Sequence, residues 1–274
     1  LGNKVGVVVD ALTGRDKGKQ RDRKLAALLE GKIHILIGTH AVFQSGVHFL
    51  DLRLAIIDEQ HRFGVRQRLA LGEKGQSVDV LVMTATPIPR SLALSQYGEM
   101  DLTVLTDKPA GRKPVKTVII SDNRVNEIVL KLKKAIDKKN QAYWVCPLIE
   151  ESEVLDYTAA EDRFKALRAN LGEGEVGLVH GQMNSDEKDE VMKKFSEGEI
   201  KVLVSTTVIE VGVDVPSANI IVIEHAEKFG LAQLHQLRGR VGRGTSESSC
   251  ILLYKAPLSP VSYTHLTLPT KSGV

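Results

Sequence analysis

The 274-residue sequence has little of what marks several specialised classes of protein. Its two cysteines, Cys146 and Cys250, lie far apart within apolar runs, so the sequence indicates neither a disulfide framework nor a zinc site. No apolar run approaches the roughly 20 residues of a membrane span. The net charge is only +3, which permits a nucleic-acid partner without arguing for one. With 42% hydrophobic and 26% charged residues, the composition excludes a disordered or collagen-like chain.

Short apolar runs alternate with segments of helical pattern. Most runs are continuous rather than alternating, as in strands buried on both faces of a parallel sheet. Helices are predicted at Lys17–Glu30, Arg124–Lys139 and Ser185–Phe195, the last preceded by an Asn184/Glu187 capping box. The alternation predicts an α/β fold with helices on both faces of the sheet. The predicted strands are Val5–Val9, Ile33–Ile37, Leu54–Ile57, Val80–Met83, Thr117–Ile120, Ala142–Cys146, Val176–Val179, Lys201–Val204, Ile220–Ile223 and Ile251–Tyr254.

The chain contains an internal repeat. Glu30–Thr39 aligns with Glu197–Thr206, and five of the ten positions are identical. Each copy leads to a further apolar strand that ends in a carboxylate, Asp58 in the first and Glu224 in the second. Between the copies, Asp107–Pro114 is rich in proline and cations and reads as a linker. The repeat predicts two similar α/β domains in tandem, which would bind ligands beyond the carboxyl ends of their strands.

Two adjacent acids, Asp58 and Glu59, follow the apolar run Leu54–Ile57. A carboxylate at the end of a buried strand can hold Mg²⁺ through water, as in Walker-B sites. A second acid beside it can orient or deprotonate an attacking water. The alternative interpretation is a strand followed by an ordinary solvated turn.

Three arginines lie among three glycines between Gln233 and Gly244. Glycine lets the backbone approach a ligand closely, and the arginine guanidinium suits phosphate oxygens and charge that develops on a transferring phosphoryl group. The alternative is a basic loop that binds any polyanion. Two weaker patterns are strands that run into hydroxyl residues, at Val80–Pro87 and Leu203–Pro216.

Taken together and in order, these four motifs resemble those of superfamily-two helicases. Within that group, residues 1 to about 259 resemble the RecG family of branched-DNA helicases. The stretches that carry the resemblance are Asp58–Arg68, Thr84–Arg90, Gly111–Thr117, Val145–Glu153 and Phe229–Gly244. The transcription-repair coupling translocases share the last stretch but are less similar at Gln60 and around Cys146–Glu153.

The resemblance implies two RecA-like domains with parallel sheets, at residues 1–108 and 109–259, of which the first is truncated. It also implies ATP and Mg²⁺ as ligands and a role for each motif residue. In that assignment Asp58 holds Mg²⁺ through water, Glu59 acts on the hydrolytic water, and His61, Thr84 and Thr86 couple nucleotide state to DNA movement. Arg240 and Arg243 reach the γ-phosphate with Gln236 beside them, Gly212 and Asp214 lie near the nucleotide, and Thr39 and Thr206 contact the phosphates of one DNA strand.

The sequence also departs from the family. It contains no Gly-x-x-x-x-Gly-Lys-Ser/Thr loop, which cradles phosphates in related enzymes. We therefore expect a fragment that is inactive by itself, with residues 260–274 forming a non-native, exposed tail. The complete protein is expected to be a monomeric bacterial cytoplasmic helicase that uses ATP to act on branched DNA in repair and recombination. The alternatives are a double-strand DNA translocase of the coupling type and a non-catalytic nucleic-acid-binding module.

Overall fold

A computed structural model describes residues 6–58, 74–75, 77–84, 101–105, 111, 113–147, 153–206, 215–242, 244, 246–258 and 266. The chain divides into two compact units, Leu1–Leu102 and Thr103–Val274. The domain boundaries predicted at residues 108 and 259 stay predictions. Over the described ranges, no helix is long and apolar enough to cross a membrane.

The first unit contains two small parallel sheets. One pairs β1 with β2, the other pairs β3 with β4, and helix α1 joins β1 to β2. The apolar core beside α1 is formed by Leu12, Leu28, Ile33, Ala41 and Val47. The elements are β1 Val9–Leu12, α1 Gly18–Leu29, β2 Ile35–Gly38, β3 Leu54–Ile57 and β4 Asp79–Val82.

The second unit is built on a six-stranded parallel sheet in the order β5-β10-β9-β6-β8-β7. Alternate residues of β6 enter two core clusters, one with Tyr143 and Val145 and the other with Trp144, so the clusters lie on opposite faces of the sheet. The strands are β5 Val115–Ser121, β6 Gln141–Cys146, β7 Val176–Val179, β8 Val202–Thr206, β9 Ala218–Ile223 and β10 Ser248–Tyr254. The helices are α2 Val125–Ile136, α3 Glu153–Leu171, α4 Ser185–Ser196 and α5 Leu231–Arg238.

The internal repeat has a close structural counterpart. The parallel pairing of β1 with β2 begins at Val9 and Ile35, and that of β7 with β8 begins at the equivalent Val176 and Val202. In both copies the preceding helix ends in a Schellman turn whose glycine has positive φ, +70° at Gly31 and +78° at Gly198. The repeated sequence therefore encodes a strand–helix–strand unit with the same register in each half.

The predicted bounds were correct for Leu54–Ile57 and Val176–Val179. Four further predicted strands lie within longer observed ones, and the rest are shifted, most of all the first strand, which begins at Val9. The exposed tail was wrong at one position. Leu266 is fully buried and belongs to a core cluster of the second unit. Burial of a leucine side chain is favourable by about 2 kcal/mol. The local sequence pattern around Leu266 does not reveal this burial, because it depends on a tertiary contact. Leu268 lies outside the described residues.

Candidate nucleotide and nucleic-acid site

The carboxyl ends of β3 and β4 bring two of the predicted residues to one edge of the first unit. Ile57 pairs with Val82, and the Met83 N–H donates a 2.8 Å hydrogen bond to the Ile57 carbonyl. Asp58 and Thr84 follow these positions directly, and both are exposed. An exposed carboxylate at the end of a parallel strand is placed to meet a ligand in the crevice beyond the sheet.

Thr39 occupies the corresponding place after β2 and is also exposed. It precedes a 3₁₀ turn, His40–Phe43, and its carbonyl accepts a 3.1 Å hydrogen bond from the Val42 N–H. Its hydroxyl makes no cap to that turn. The geometry leaves the Thr39 side chain on the surface, as the predicted contact with a phosphate backbone requires.

The loop after β1 lies beside Thr39, because Leu12 pairs with Gly38 in the register of the sheet. Asp16 organises this loop by accepting hydrogen bonds from the Thr13 N–H at 2.7 Å and from Lys24 Nζ at 2.7 Å. The bond from Lys24, supported by those from Thr13, lowers the pKa of Asp16 from 3.8 to about 2. The loop is thereby fixed by a charged pair, which sequence reasoning did not identify.

Thr206 is the last residue of β8 and pairs with Cys146 of β6. Only 7% of Thr206 is exposed, in contrast to the exposed Thr39 at the equivalent place in the repeat. The difference follows from the sheets, since β8 lies between two strands whereas β2 has a described partner on one side alone. The repeat therefore predicts the backbone position of Thr206 but not the exposure of its side chain.

The basic turn after α5 is anchored to the core of the second unit. The Arg240 N–H donates a 3.0 Å hydrogen bond to the Leu237 carbonyl, and Val241 is fully buried. Gly242 has a φ of +77°, and a Cβ there would lie 2.7 Å from Cγ2 of Val115, so this position requires glycine. Arg240 in this turn and Gln236 of α5 are both half-buried.

A partly buried interaction that the motifs did not identify joins Glu224, directly after β9, to Trp144 and Arg163. Glu224 accepts hydrogen bonds from Trp144 Nε1 and from Arg163 of α3, and the Arg163 guanidinium lies 5.4 Å from the centre of the Trp144 ring. Glu224 is the counterpart of Asp58 in the repeat. Its charge is neutralised by an internal arginine, so the two units carry equivalent carboxylates in different chemical environments.

Several predicted site residues lie outside the described part of the chain. They are Glu59, His61, Thr86, Gly212, Asp214 and Arg243. Within the described ranges, no three His, Cys, Asp or Glu side chains come together as a metal site. A single exposed carboxylate such as Asp58 nevertheless fits Mg²⁺, because this ion keeps several waters and takes other ligands from substrate phosphates.

Comparison with known proteins identifies the family. Residues 1–94 match the DEAD/DEAH box helicase family, and residues 124–245 match the helicase conserved C-terminal domain. The sequence is 53% identical over 267 residues, or 96% of the chain, to the ATP-dependent DNA helicase RecG of Escherichia coli K12. It is 52% identical over 254 residues, or 92% of the chain, to RecG of Bacillus subtilis 168. The chain belongs to the RecG family. It spans only 38% and 37% of the lengths of these two RecG proteins.

Solved structures agree with this assignment. A RecG structure with a three-way DNA junction is 44% identical, with a TM-score of 0.74, and the match covers 98% of this chain and 35% of that one. Dbp5 of S. cerevisiae, bound to RNA and ADP BeF3, is 16% identical with a TM-score of 0.68; the match covers 98% of this chain and 69% of that one and supports the fold alone. The predicted fold class is confirmed, since both units are RecA-like α/β domains with parallel sheets and the first is partial.

Proposed function

We propose that the complete protein is an ATP-dependent helicase that acts on branched DNA in repair and recombination. Its relatives are named ATP-dependent DNA helicase RecG, and one RecG structure is bound to a three-way DNA junction. The observation that carries the proposal is the identity of about half the residues with RecG across 96% of this chain. That similarity spans the Asp58 edge of the first unit and the arginine turn of the second. The complete protein is proposed to act as a monomer in the cytoplasm of a bacterium.

In the proposed mechanism, residues of both units have a role in ATP hydrolysis. Mg²⁺, when bound with ATP, would offset phosphate charge, and Asp58 would hold the ion through water. Glu59 would orient the hydrolytic water, and Arg240 and Arg243 would stabilise the charge that develops on the γ-phosphoryl group. The nucleotide site would be lined by Gln236, Gly212 and Asp214. The state of the nucleotide would be coupled to movement along DNA by His61, Thr84 and Thr86.

Thr39 and Thr206 are proposed to contact DNA phosphates from the two repeated strands, Thr39 through its exposed side chain and Thr206 through the 7% of its surface that is exposed. Contacts to phosphates position a protein on DNA without reading its sequence. The interaction should therefore tolerate any sequence and weaken steeply with salt, because counterions compete for the same charges. Preference for branched DNA would come from parts of the longer protein.

The proposal is tested with Glu59→Gln in the complete protein. This change keeps the side-chain shape and removes the charge that acts on water, so ATP should bind while turnover falls about 100-fold or more. A fluorescent ATP analogue measures binding, and phosphate release measures turnover. Glu30→Gln, at the exposed end of α1, is the matched control and should leave both unchanged. Normal turnover by Glu59→Gln would refute the assigned role.

A further inference from the structure

The turn that follows Thr39 ends at a buried anchor. Thr39 precedes the 3₁₀ turn His40–Phe43, and Gln44 follows that turn. The Val47 N–H donates a 3.1 Å hydrogen bond to the Gln44 carbonyl, and Val47 is fully buried in the core beside α1. Residues 39–47, here called the Thr39 turn, therefore connect an exposed threonine to the core of the first unit.

A lysine from a later part of the first unit holds the Thr39 turn. Lys74 Nζ donates a 2.8 Å hydrogen bond to the Gln44 carbonyl and a 2.7 Å hydrogen bond to the Val47 carbonyl. An ammonium group carries three donors, and hydrogen bonds from a charged donor are stronger than those between neutral groups. Two of the three donors of Lys74 therefore close a single turn. The sequence motifs did not identify this residue.

Gln44 is also held from α1. Arg21 Nη2 donates a 2.7 Å hydrogen bond to Gln44 Oε1. The backbone carbonyl of Gln44 thus contacts Lys74, and its side chain contacts the helix. The bond from Arg21 is exposed, whereas the bond from Lys74 to Val47 is partly buried. Because water competes for exposed polar groups, Lys74 contributes more than Arg21 to the order of the turn.

Lys74 lies on the connection between Asp58 and β4. Next to it, a Cβ at Gly75 would lie 2.6 Å from the Leu52 carbonyl, so the connection passes against the chain just before β3. Asp58 is positioned by a different set of contacts, the parallel pairing of β3 with β4. Loss of the Lys74 contacts should therefore loosen the Thr39 turn and leave the Asp58 edge in place.

The order of a loop before binding affects the affinity of that loop for its ligand. A loop that becomes ordered only on binding loses conformational entropy at that moment, and binding is weaker by that cost. A turn that hydrogen bonds already hold in place avoids the loss. The Lys74 contacts lie within the protein and use carbonyl oxygens, so they form without DNA.

We propose that Lys74 is a positioning residue for DNA binding, which holds the Thr39 turn in its binding geometry and contacts the turn rather than the DNA. The inference rests on the proposed function, in which Thr39 contacts a DNA phosphate. The effect of Lys74 is on the affinity for DNA. ATP binding and turnover at saturating DNA do not depend on it, because Asp58 is held independently.

Lys74→Met in the complete protein tests the proposal, because it removes both hydrogen bonds and keeps most of the side-chain length. The DNA concentration that half-maximally stimulates ATP hydrolysis should rise about 10-fold, whereas turnover at saturating DNA and the KM for ATP should stay unchanged. Lys74→Arg keeps charged donors and should restore most of the affinity. Lys32→Met, the control, removes the same charge from an exposed lysine of the same unit and should change the half-maximal concentration by less than about 2-fold.

Failure of the proposed function and failure of this inference give different results. A parent protein whose ATP hydrolysis is not stimulated by DNA would refute the proposed function and, with it, the role of Lys74. Stimulation of the parent with no change in Lys74→Met would refute the role of Lys74 alone. Equal losses of affinity in Lys74→Met and Lys32→Met would do the same, since the loss would then reflect only the removed charge.

The salt dependence of DNA binding separates positioning from direct contact. A lysine that contacts a phosphate releases a counterion, so its removal lowers the slope of log affinity against log salt by about one. Because Lys74 contacts carbonyls of the turn, Lys74→Met should weaken binding with the slope unchanged. A slope lower by about one would overturn the proposal, since Lys74 would then bind the DNA itself.

Amide hydrogen exchange, without ATP or DNA, tests whether the turn loosens. In Lys74→Met the Val42 and Val47 amides, which donate hydrogen bonds within the turn, should exchange about 10-fold faster. The Met83 amide, which donates to the Ile57 carbonyl at the ends of β4 and β3, should exchange at the parent rate. Acceleration at Met83 as large as at Val47 would refute the proposal, because Lys74 would then stabilise the whole unit rather than the turn.

Discussion

Single residues show how the same position of the repeat acquires different chemistry. Asp58 and Glu224 both follow an apolar strand; Asp58 is exposed, and Glu224 is largely buried and held by Arg163 and Trp144. A carboxylate whose charge is already neutralised has little to offer a metal ion. We infer that Glu224 stabilises the second unit by holding α3 against the end of β9.

Arg163→Met tests that role. It leaves a carboxylate that is 14% exposed without its charged partner, so the second unit should lose about 1–3 kcal/mol of unfolding free energy. Urea denaturation measures the change. Arg124→Met removes a more exposed Arg–Glu pair of the same unit, with side-chain exposures of 57% and 53%, and should cost clearly less, because water and salt screen exposed charges. Equal losses for the two variants would show that the Arg163–Glu224 pair stabilises the second unit no more than an exposed pair does.

Asp16 gives a prediction about pH. Its pKa is lowered from 3.8 to about 2 by hydrogen bonds from Lys24 and Thr13, so the folded state favours the charged form. The stability that this group contributes is therefore complete above about pH 4 and is lost as the pH falls towards 2. A carboxyl titration by NMR should find the low midpoint. A midpoint near 3.8, or an Asp16→Asn variant with the same acid sensitivity as the parent, would contradict it.

At the level of the secondary-structure elements, the two copies of the repeat share the way their helices end as well as the register of their paired strands. Gly31 and Gly198 both adopt left-handed backbone conformations that close α1 and α4. The Asn184/Glu187 capping box predicted at the start of α4 is also present, with hydrogen bonds of 2.8 and 3.1 Å. These local signals determine where the helices begin and end.

Gly198→Ala isolates the backbone cost of such a turn. Nothing lies within 4 Å of a Cβ at this position, so the expected loss of about 1–2 kcal/mol comes only from the positive φ of +78°. Gly174→Ala, also with open space but without positive φ, is the control and should change stability by less than about 0.5 kcal/mol. Thermal denaturation of both variants compares them. A neutral Gly198→Ala would mean that the turn relaxes.

At the scale of the whole molecule, the two units differ in completeness. In the described residues, the second has a six-stranded sheet with a core on each face, whereas the first has two pairs of strands with aliphatic side chains in water. Apolar burial dominates folding stability, so the first unit should be the weaker of the two.

We therefore expect proteases to cleave this 274-residue chain first within residues 6–84, and we expect no measurable ATP binding. The sequence lacks the Gly-x-x-x-x-Gly-Lys-Ser/Thr loop, and Asp58 can hold Mg²⁺ only weakly without phosphates fixed beside it. Limited proteolysis followed by mass spectrometry, and titration with a fluorescent ATP analogue, measure the two expectations. Micromolar nucleotide binding, or earlier cleavage in the second unit, would contradict them.

The secondary-structure elements and the family were predictable from the sequence. Continuous apolar runs predicted parallel strands, the Glu30–Thr39 repeat predicted two like units, and four ordered motifs indicated a RecG-type helicase. These signals are local or periodic, so they can be recognised without knowledge of the fold. Three features required the three-dimensional structure: Glu224 is held by Arg163 and Trp144, Leu266 enters the core, and Thr206 is buried where Thr39 is exposed. Each of these depends on which strands and helices become neighbours, and residues 61 and 80 positions apart make contacts that no local pattern records.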